Sequence, residues 1–303
     1  MAGQWRQRQL CVLVLLSAGI YVFLLNQFTD SIRMWTTRNA ATTILVLTPT
    51  YPRPTQIADM TRLCNTLMHI PSLFWVVVED AYNKTENIAE LLEFCSVPFV
   101  HLAKRTPRNL TGPYKGRGVT NRNEGLRWIR ENVHTIVSDN RSAVVYFADD
   151  DNAYDIRLFE EIRKTDPNRV SMFPVGTIAG TGVSSPIIDQ DGSLLGFFDP
   201  YPAKRKYMVD MAGFAVGLEI LLRSGAKFVY RTGALEDYFL RDLHFQEEDI
   251  QFLADRCTRI LAWHVKTSGG PFIKLITLAD KLKPFVNNTN LFELVRLYSP
   301  VPR

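Results

Sequence analysis

From Thr43 onward the chain alternates runs suited to buried strands with stretches suited to helices, and nothing else in the sequence limits the fold as tightly. The strand-like runs are Thr43–Thr48, closed by Pro49, then Leu73–Val78, Pro98–Leu102 and Ala143–Ala148. Between and after them, apolar spacing predicts helices over Pro54–Met68, Ile88–Phe94, Gly118–Asn132 and Ile156–Lys164. Runs that are apolar on both faces and separated by helices imply an α/β fold: a mostly parallel sheet with flanking helices. Past Val170 the elements shorten. Strands are expected at Val170–Val175, Ile187–Asp189, Leu194–Phe198, Lys227–Tyr230 and Arg259–Trp263, with helices over Leu218–Arg223 and Gln246–Ala254. Ligands of parallel sheets bind beyond the carboxyl ends of the strands. Three such ends carry polar or aromatic residues: Pro49-Thr50-Tyr51, Glu79-Asp80 and Asp149-Asp150-Asp151. All three would open onto one crevice.

The aspartate triplet is the chemically loudest of these. Three adjacent carboxylates repel one another, and without a cation at least one tends to take up a proton. A hard divalent ion bound through carboxylate oxygen relieves the crowding and leaves positions for phosphate oxygens. The blander reading is a solvated acidic turn or a helix N-terminus, which Asp155 suits well. The buried strand leading into the triplet favours the metal.

The N-terminus carries a second signal. Leu10–Leu25 is uncharged and apolar, with Arg6 and Arg8 before it. Extended through Phe28 it reaches the length of a spanning helix. A cleaved signal peptide is the alternative, but no small-x-small cleavage pattern follows the run. The expectation is therefore a cytoplasmic tail at 1–9, a transmembrane signal-anchor at 10–28 and a stem at 29–42, with the remainder in a secretory lumen. Sequons at Asn83, Asn109, Asn140 and Asn287 agree with a lumenal location. Cys11 falls in the anchor, leaving Cys64, Cys95 and Cys257. Cys64–Cys95 is the pair to test first, against the alternative of three buried thiols. The net charge of +4 comes from scattered residues, so nothing calls for a nucleic-acid partner. Residues 271–303 form a tail without a chemical signature.

The segment Val145-Tyr-Phe-Ala-Asp-Asp-Asp-Asn-Ala-Tyr154 resembles the metal motif of the β-1,3-glucuronosyltransferases, glycosyltransferase family 43. Thr48-Pro-Thr-Tyr51, Val78-Glu-Asp80, Arg117-Gly-Val, Arg122-Asn, Phe159-Glu-Glu-Ile, Val209-Asp-Met-Ala-Gly-Phe-Ala-Val216, Leu235-Glu236 and Trp263-His264 follow in the family's order. The resemblance spans roughly residues 43–270. It implies a GT-A type nucleotide-sugar-binding fold in a Golgi type II membrane protein, usually a homodimer, with UDP-glucuronic acid as donor, Mn2+ as cofactor and a galactose-terminated glycan or proteoglycan as acceptor. Residues 43–170 would form the donor-binding half and 171–270 the acceptor-binding half.

Residue by residue, the resemblance places Asp151 on the metal, with Asp149 and Asp150 near the donor ribose. Tyr51, after Pro49 and Thr50, would stack on uracil and Asp80 would bind the uracil edge. Arg117, Arg122, His264 and Lys266 would contact the rest of the donor. Glu236 would be the catalytic base, and Tyr201, Arg205 and Asp210 would hold the acceptor. Without the resemblance, Arg117, Arg122, His264 and Glu236 read as ordinary surface or structural residues. Three departures stand out: Ser184-Ser185 replaces an acceptor-binding glutamate, Lys266 replaces an arginine, and Asp237-Tyr-Phe replaces a smaller serine-rich stretch. Rival readings are the same fold with another UDP-sugar donor, a non-catalytic sugar-binding homologue, and a metal-dependent phosphohydrolase.

Overall fold

β1 (Thr43–Thr50) is buried along its whole length, because strands cover both its edges and helices both its faces. It pairs in parallel with β2 (Leu73–Glu79) on one side and β4 (Ala143–Phe147) on the other. The computed structural model describes residues 42–111, 116–137, 142–178, 182–201 and 204–267. The expected tail at 1–9, anchor at 10–28, stem up to residue 41, sequons at Asn140 and Asn287, and tail 271–303 lie outside these residues. Among the described residues no helix is long and apolar enough to cross a membrane.

The main sheet has seven strands in the order β11-β6-β10-β4-β1-β2-β3. β3 (Phe99–Ala103) runs parallel beside β2. β6 (Val170–Met172), β10 (Phe214–Gly217) and β11 (Ile250–Phe252) extend the other edge, with β10 antiparallel to both β4 and β6. Side chains alternate across the sheet and feed two cores. Ile44, Val46, Trp75, Val77, Val144 and Tyr146 face one side, against α1 (Gln56–Leu67), α2 (Glu86–Phe94) and α4 (Ile156–Ile162). Leu45, Leu47, Val76, Val78, Val145 and Phe147 face the other, against α3 (Val119–Ile136), α5 (Leu218–Arg223) and α6 (Leu235–Asp242). A second sheet, in the order β5-β12-β7-β8-β9, combines β5 (Ala153–Tyr154), β7 (Val175–Ile178), β8 (Gly182–Ile188), β9 (Leu194–Phe198) and β12 (Ala262–Trp263).

The α/β class and the four leading strands match the sequence reading; the second half differs in several places. The expected strand Val170–Val175 is two strands in two sheets, separated at Phe173-Pro174. No helix spans Gln246–Ala254. A single 3-10 turn there gives way to β11, whose Ile250 and Phe252 pair with β6. Beyond it Ala254–Cys257 takes four successive positive φ values, a left-handed turn. Lys227–Tyr230 is not a strand: Phe228 instead stacks on Phe239, their centroids 4.4 Å apart, in the core. The final strand shrinks to Ala262–Trp263. Helix α6, which carries Glu236, has too short an amphipathic run to stand out in the sequence.

Cys64 on α1 and Cys95 at the end of α2 form a disulfide across 31 residues, while Cys257 is free. Closing a loop of that length restricts the unfolded chain by about 3–4 kcal/mol. The Cys64→Ala/Cys95→Ala variant should therefore lose stability of about that size in urea unfolding under non-reducing conditions. Reductant should destabilise the parent chain and leave the variant unchanged.

Candidate active site

The carboxyl ends of β4, β1 and β2 finish side by side. The Asp80 amide donates to the Thr50 carbonyl (2.8 Å), and the Ala148 amide donates to the Leu47 carbonyl (3.0 Å). Pro49-Thr50-Tyr51, Asp80 and the aspartate triplet are thus brought to one edge of the sheet.

The three aspartates have unlike surroundings. Asp150 is buried and accepts hydrogen bonds from Thr50 Oγ1 (2.6 Å) and Arg53 (2.8 Å). Burial outweighs these partners and pushes its carboxyl up to about 6. Asp149 is held by Arg122 of α3, and its carbonyl accepts from Tyr154 Oη (3.0 Å). The Asp151 carboxyl is raised by burial and by the neighbouring Asp149, and its carbonyl accepts from Arg62 (2.7 Å). Its carboxylate makes no side-chain pairing among the described residues.

Among the described residues no set of three or more His, Cys, Asp or Glu side chains could enclose a metal. The site suits a different arrangement. Asp151 offers one unpaired, partly dehydrated carboxylate, and hard divalent ions commonly take one or two carboxylates together with substrate phosphates. The residues present fit such an ion bound jointly with a diphosphate.

Around this edge, Tyr51 is exposed and stacks under Arg53, whose guanidinium lies 4.7 Å from the ring. Burial opposes charge on Arg53, but Asp150 and Asp59 more than offset it and raise its pKa. Asp80 accepts from the Thr106 amide and hydroxyl, both at 2.8 Å, which fixes its carboxylate at the crevice edge. Arg117 is exposed and contributes its carbonyl to Arg122 (3.0 Å). Arg122 is buried, its charge facing Asp149 and its plane 5.8 Å from the Phe228 ring. Lys266 is exposed beyond β12.

The acceptor-side candidates are of two kinds. Tyr201 is exposed and packs over Gly233. Arg205 is drawn inward into a buried ion pair with Asp199 (3.0 Å), so its first role is to hold its own loop. Ser184 is buried and reaches the Met208 carbonyl at 3.5 Å. Asp210 caps the turn at Met211–Gly213 through the Ala212 amide (3.0 Å) and binds His264 Nδ1 (2.8 Å). That bond, reinforced by Asp149 and Asp151, lifts His264 to about 9. Burial, then the Asp210 charge, lift Glu236 to about 7, opposed by Arg205 and Arg122. Glu236 therefore lies within the field of Arg122, which holds Asp149, and of Asp210, which holds His264. Asp237, beside it, is buried and accepts from the Tyr207 amide (2.9 Å), joining α6 to the 204–210 loop.

The family model of glycosyltransferase family 43 matches residues 63–268. The chain belongs to glycosyltransferase family 43. Galactosylgalactosylxylosylprotein 3-beta-glucuronosyltransferase P of Drosophila melanogaster is 41% identical over 258 residues, covering 84% of this chain and 51% of the relative. The S enzyme of the same organism is 43% identical over 226 residues, covering 74% and 53%. The human 3-beta-glucuronosyltransferase 1 is 43% identical over 235 residues, covering 74% and 69%. The chain thus spans about half the length of the two fly relatives. Tyr51, Asp80, Arg122 and the triplet, all singled out in the sequence, gather around the carboxyl ends of β1, β2 and β4. Arg53, Asp59 and Arg62 were not singled out in the sequence; their signal was an arginine between two prolines and a charged i,i+3 pair on α1.

Gly118 makes the Arg122 contact possible. Its φ is +70°, and a Cβ there would come within 2.7 Å of Arg122 Nη1. Gly118→Ala combines a left-handed strain of about 1–2 kcal/mol with displacement of Arg122. It should lower the melting temperature, as read by thermal denaturation.

Proposed function

We propose that this chain transfers glucuronic acid from UDP-glucuronic acid to the 3-hydroxyl of a terminal galactose, with inversion, on the galactosyl-galactosyl-xylosyl linker of proteoglycans. The observation that carries the reading is the placement of a weakly acidic Glu236 in the field of Arg122 and Asp210, the same groups that hold Asp149 and His264. Family membership and the activities for which the relatives are named support it. The fold is read as GT-A type. The further reading is a Golgi type II protein, anchored by residues 10–28 and working as a homodimer.

In this mechanism Tyr51 and Asp80 hold uracil, and Arg122 and His264 offset charge on the donor. Glu236 accepts the proton of the acceptor hydroxyl as that oxygen attacks the anomeric carbon. The bond from that carbon to the diphosphate breaks on the opposite face, and UDP leaves with the electron pair. Mn2+ held by Asp151 and the diphosphate would supply Lewis-acid neutralisation of the leaving group. Asp149 and Asp150, each held by an arginine, orient the ribose. Tyr201 offers a ring for a sugar face, and Asp210 and Arg205 frame the acceptor.

Incubating the chain with Mn2+, a β-galactoside acceptor and either UDP-glucuronic acid or UDP-xylose should yield a glucuronosylated product only. Transfer from UDP-xylose alone, or hydrolysis regardless of acceptor, would sink the reading. Glu236→Gln should slow transfer by about 100-fold or more while UDP affinity stays at the parent value. Chelating the divalent ion should stop transfer, and Mn2+ should restore it.

The pH profile follows from the two raised groups. A base must be ionised, so kcat/KM should rise as pH climbs through about 7, the Glu236 value. His264 carries charge below about 9, so kcat/KM should fall as pH climbs through that value. A profile flat from pH 6 to 8 would remove Glu236 from the role.

A further inference from the structure

Asp59 on α1 is 1% exposed, faces the protein interior and has no part in the mechanism above. Its carboxylate gathers three partners from three places. Arg53 donates to Oδ2 (2.8 Å), Arg62 approaches Oδ1 (3.3 Å), and Thr267 Oγ1 donates to Oδ1 (2.5 Å). Arg62 also donates to the Thr267 hydroxyl (3.2 Å), closing a small ring.

Each partner continues to a different part of the donor crevice. Arg53 reaches Asp150 (2.8 Å) and covers the Tyr51 ring at 4.7 Å. Arg62 reaches the Asp151 carbonyl (2.7 Å) and so holds the backbone of the candidate metal ligand. Thr267 follows His264 and Lys266 on the segment after β12. Charge-assisted hydrogen bonds of this kind are short and directional. Asp59 is 1% exposed and Arg53 11%, so neither can exchange the other for water without leaving a dehydrated charge, whereas Arg62, 44% exposed, holds Asp59 from the solvent side. One carboxylate that touches no substrate therefore ties together the loop after β1, the triplet after β4 and the segment after β12.

We infer that Asp59 is a positioning residue for the nucleotide: it sets the mutual placement of Tyr51, the aspartate triplet and the His264 segment, and so controls donor affinity independently of the acceptor. This inference rests on the donor-site reading above. A purely structural Asp59 would instead lower the folded fraction and scale both substrates' kinetics alike.

The test is calorimetric binding of UDP, with and without Mn2+, together with steady-state kinetics. Asp59→Asn keeps the shape and removes the charge. It should weaken UDP binding and raise the donor KM by about tenfold or more, with the acceptor KM unchanged. Asp59→Glu, which restores the charge, should recover most of the affinity. Thr267→Val removes one partner at a partly exposed position. It should weaken UDP binding in the same direction, by less, without changing the melting temperature, so the inference stays testable even if Asp59→Asn does not fold. If the parent chain binds UDP and both Asp59→Asn and Thr267→Val bind it equally well, the inference is overturned and the donor site stands. An equal fall in donor and acceptor terms, tracking the folded fraction, also overturns it. If the parent chain itself does not bind UDP, the donor-site reading fails and takes the inference with it.

Discussion

The parallel pairing of β1 between β2 and β4 is the constraint on which the rest of the structure depends. Every residue of β1 is buried, and its register sets Thr50 across from Glu79 and Leu47 across from Phe147. Because the strands run the same way, their carboxyl ends finish together, and the loops that follow must share one crevice. Backbone hydrogen bonds hold this alignment, so it tolerates the unfavourable chemistry gathered at the edge. An antiparallel partner in place of β2 or β4 would have sent Asp80 or the triplet to the opposite end.

That alignment concentrates carboxylates, and the site is shaped by how each is balanced. Arg122 faces Asp149, Arg53 faces both Asp150 and Asp59, and the Asp151 carboxylate has no such partner among the described residues. On the other side Asp210 acts on two groups at once. Its hydrogen bond keeps His264 cationic at neutral pH, and its charge adds to burial in making Glu236 a stronger base. Two titratable groups are thereby shifted through one shared neighbour.

The first half of the fold was readable because its strands are apolar on both faces and its helices have clear periodicity. The second half was less so. Gln246–Ala254 has a helix-like composition, yet Ile250 and Phe252 complete a sheet edge whose partner, β6, lies some eighty residues earlier. Non-local pairing of this kind leaves no periodic trace. The same holds for the buried pairing of Arg205 with Asp199, which left no trace in the sequence. Asp237 shows the limit from the other side: its departure from the family pattern was visible, but its bond to the Tyr207 amide was not. The Cys64–Cys95 bridge, one of two open readings, was decided by the packing of α1 against the end of α2.

The sequence by itself determined the α/β class, the strand ends that form the crevice, the acidic triplet and the family to which the chain belongs. These are local patterns, written in neighbouring residues and in the order of motifs. Only the tertiary structure decided which arginine balances which aspartate, that Asp210 serves both His264 and Glu236, and that Asp59 joins three distant segments. Those facts depend on side chains up to 208 positions apart meeting in a buried, weakly screening setting, where a few tenths of an ångström decide which charges are paired.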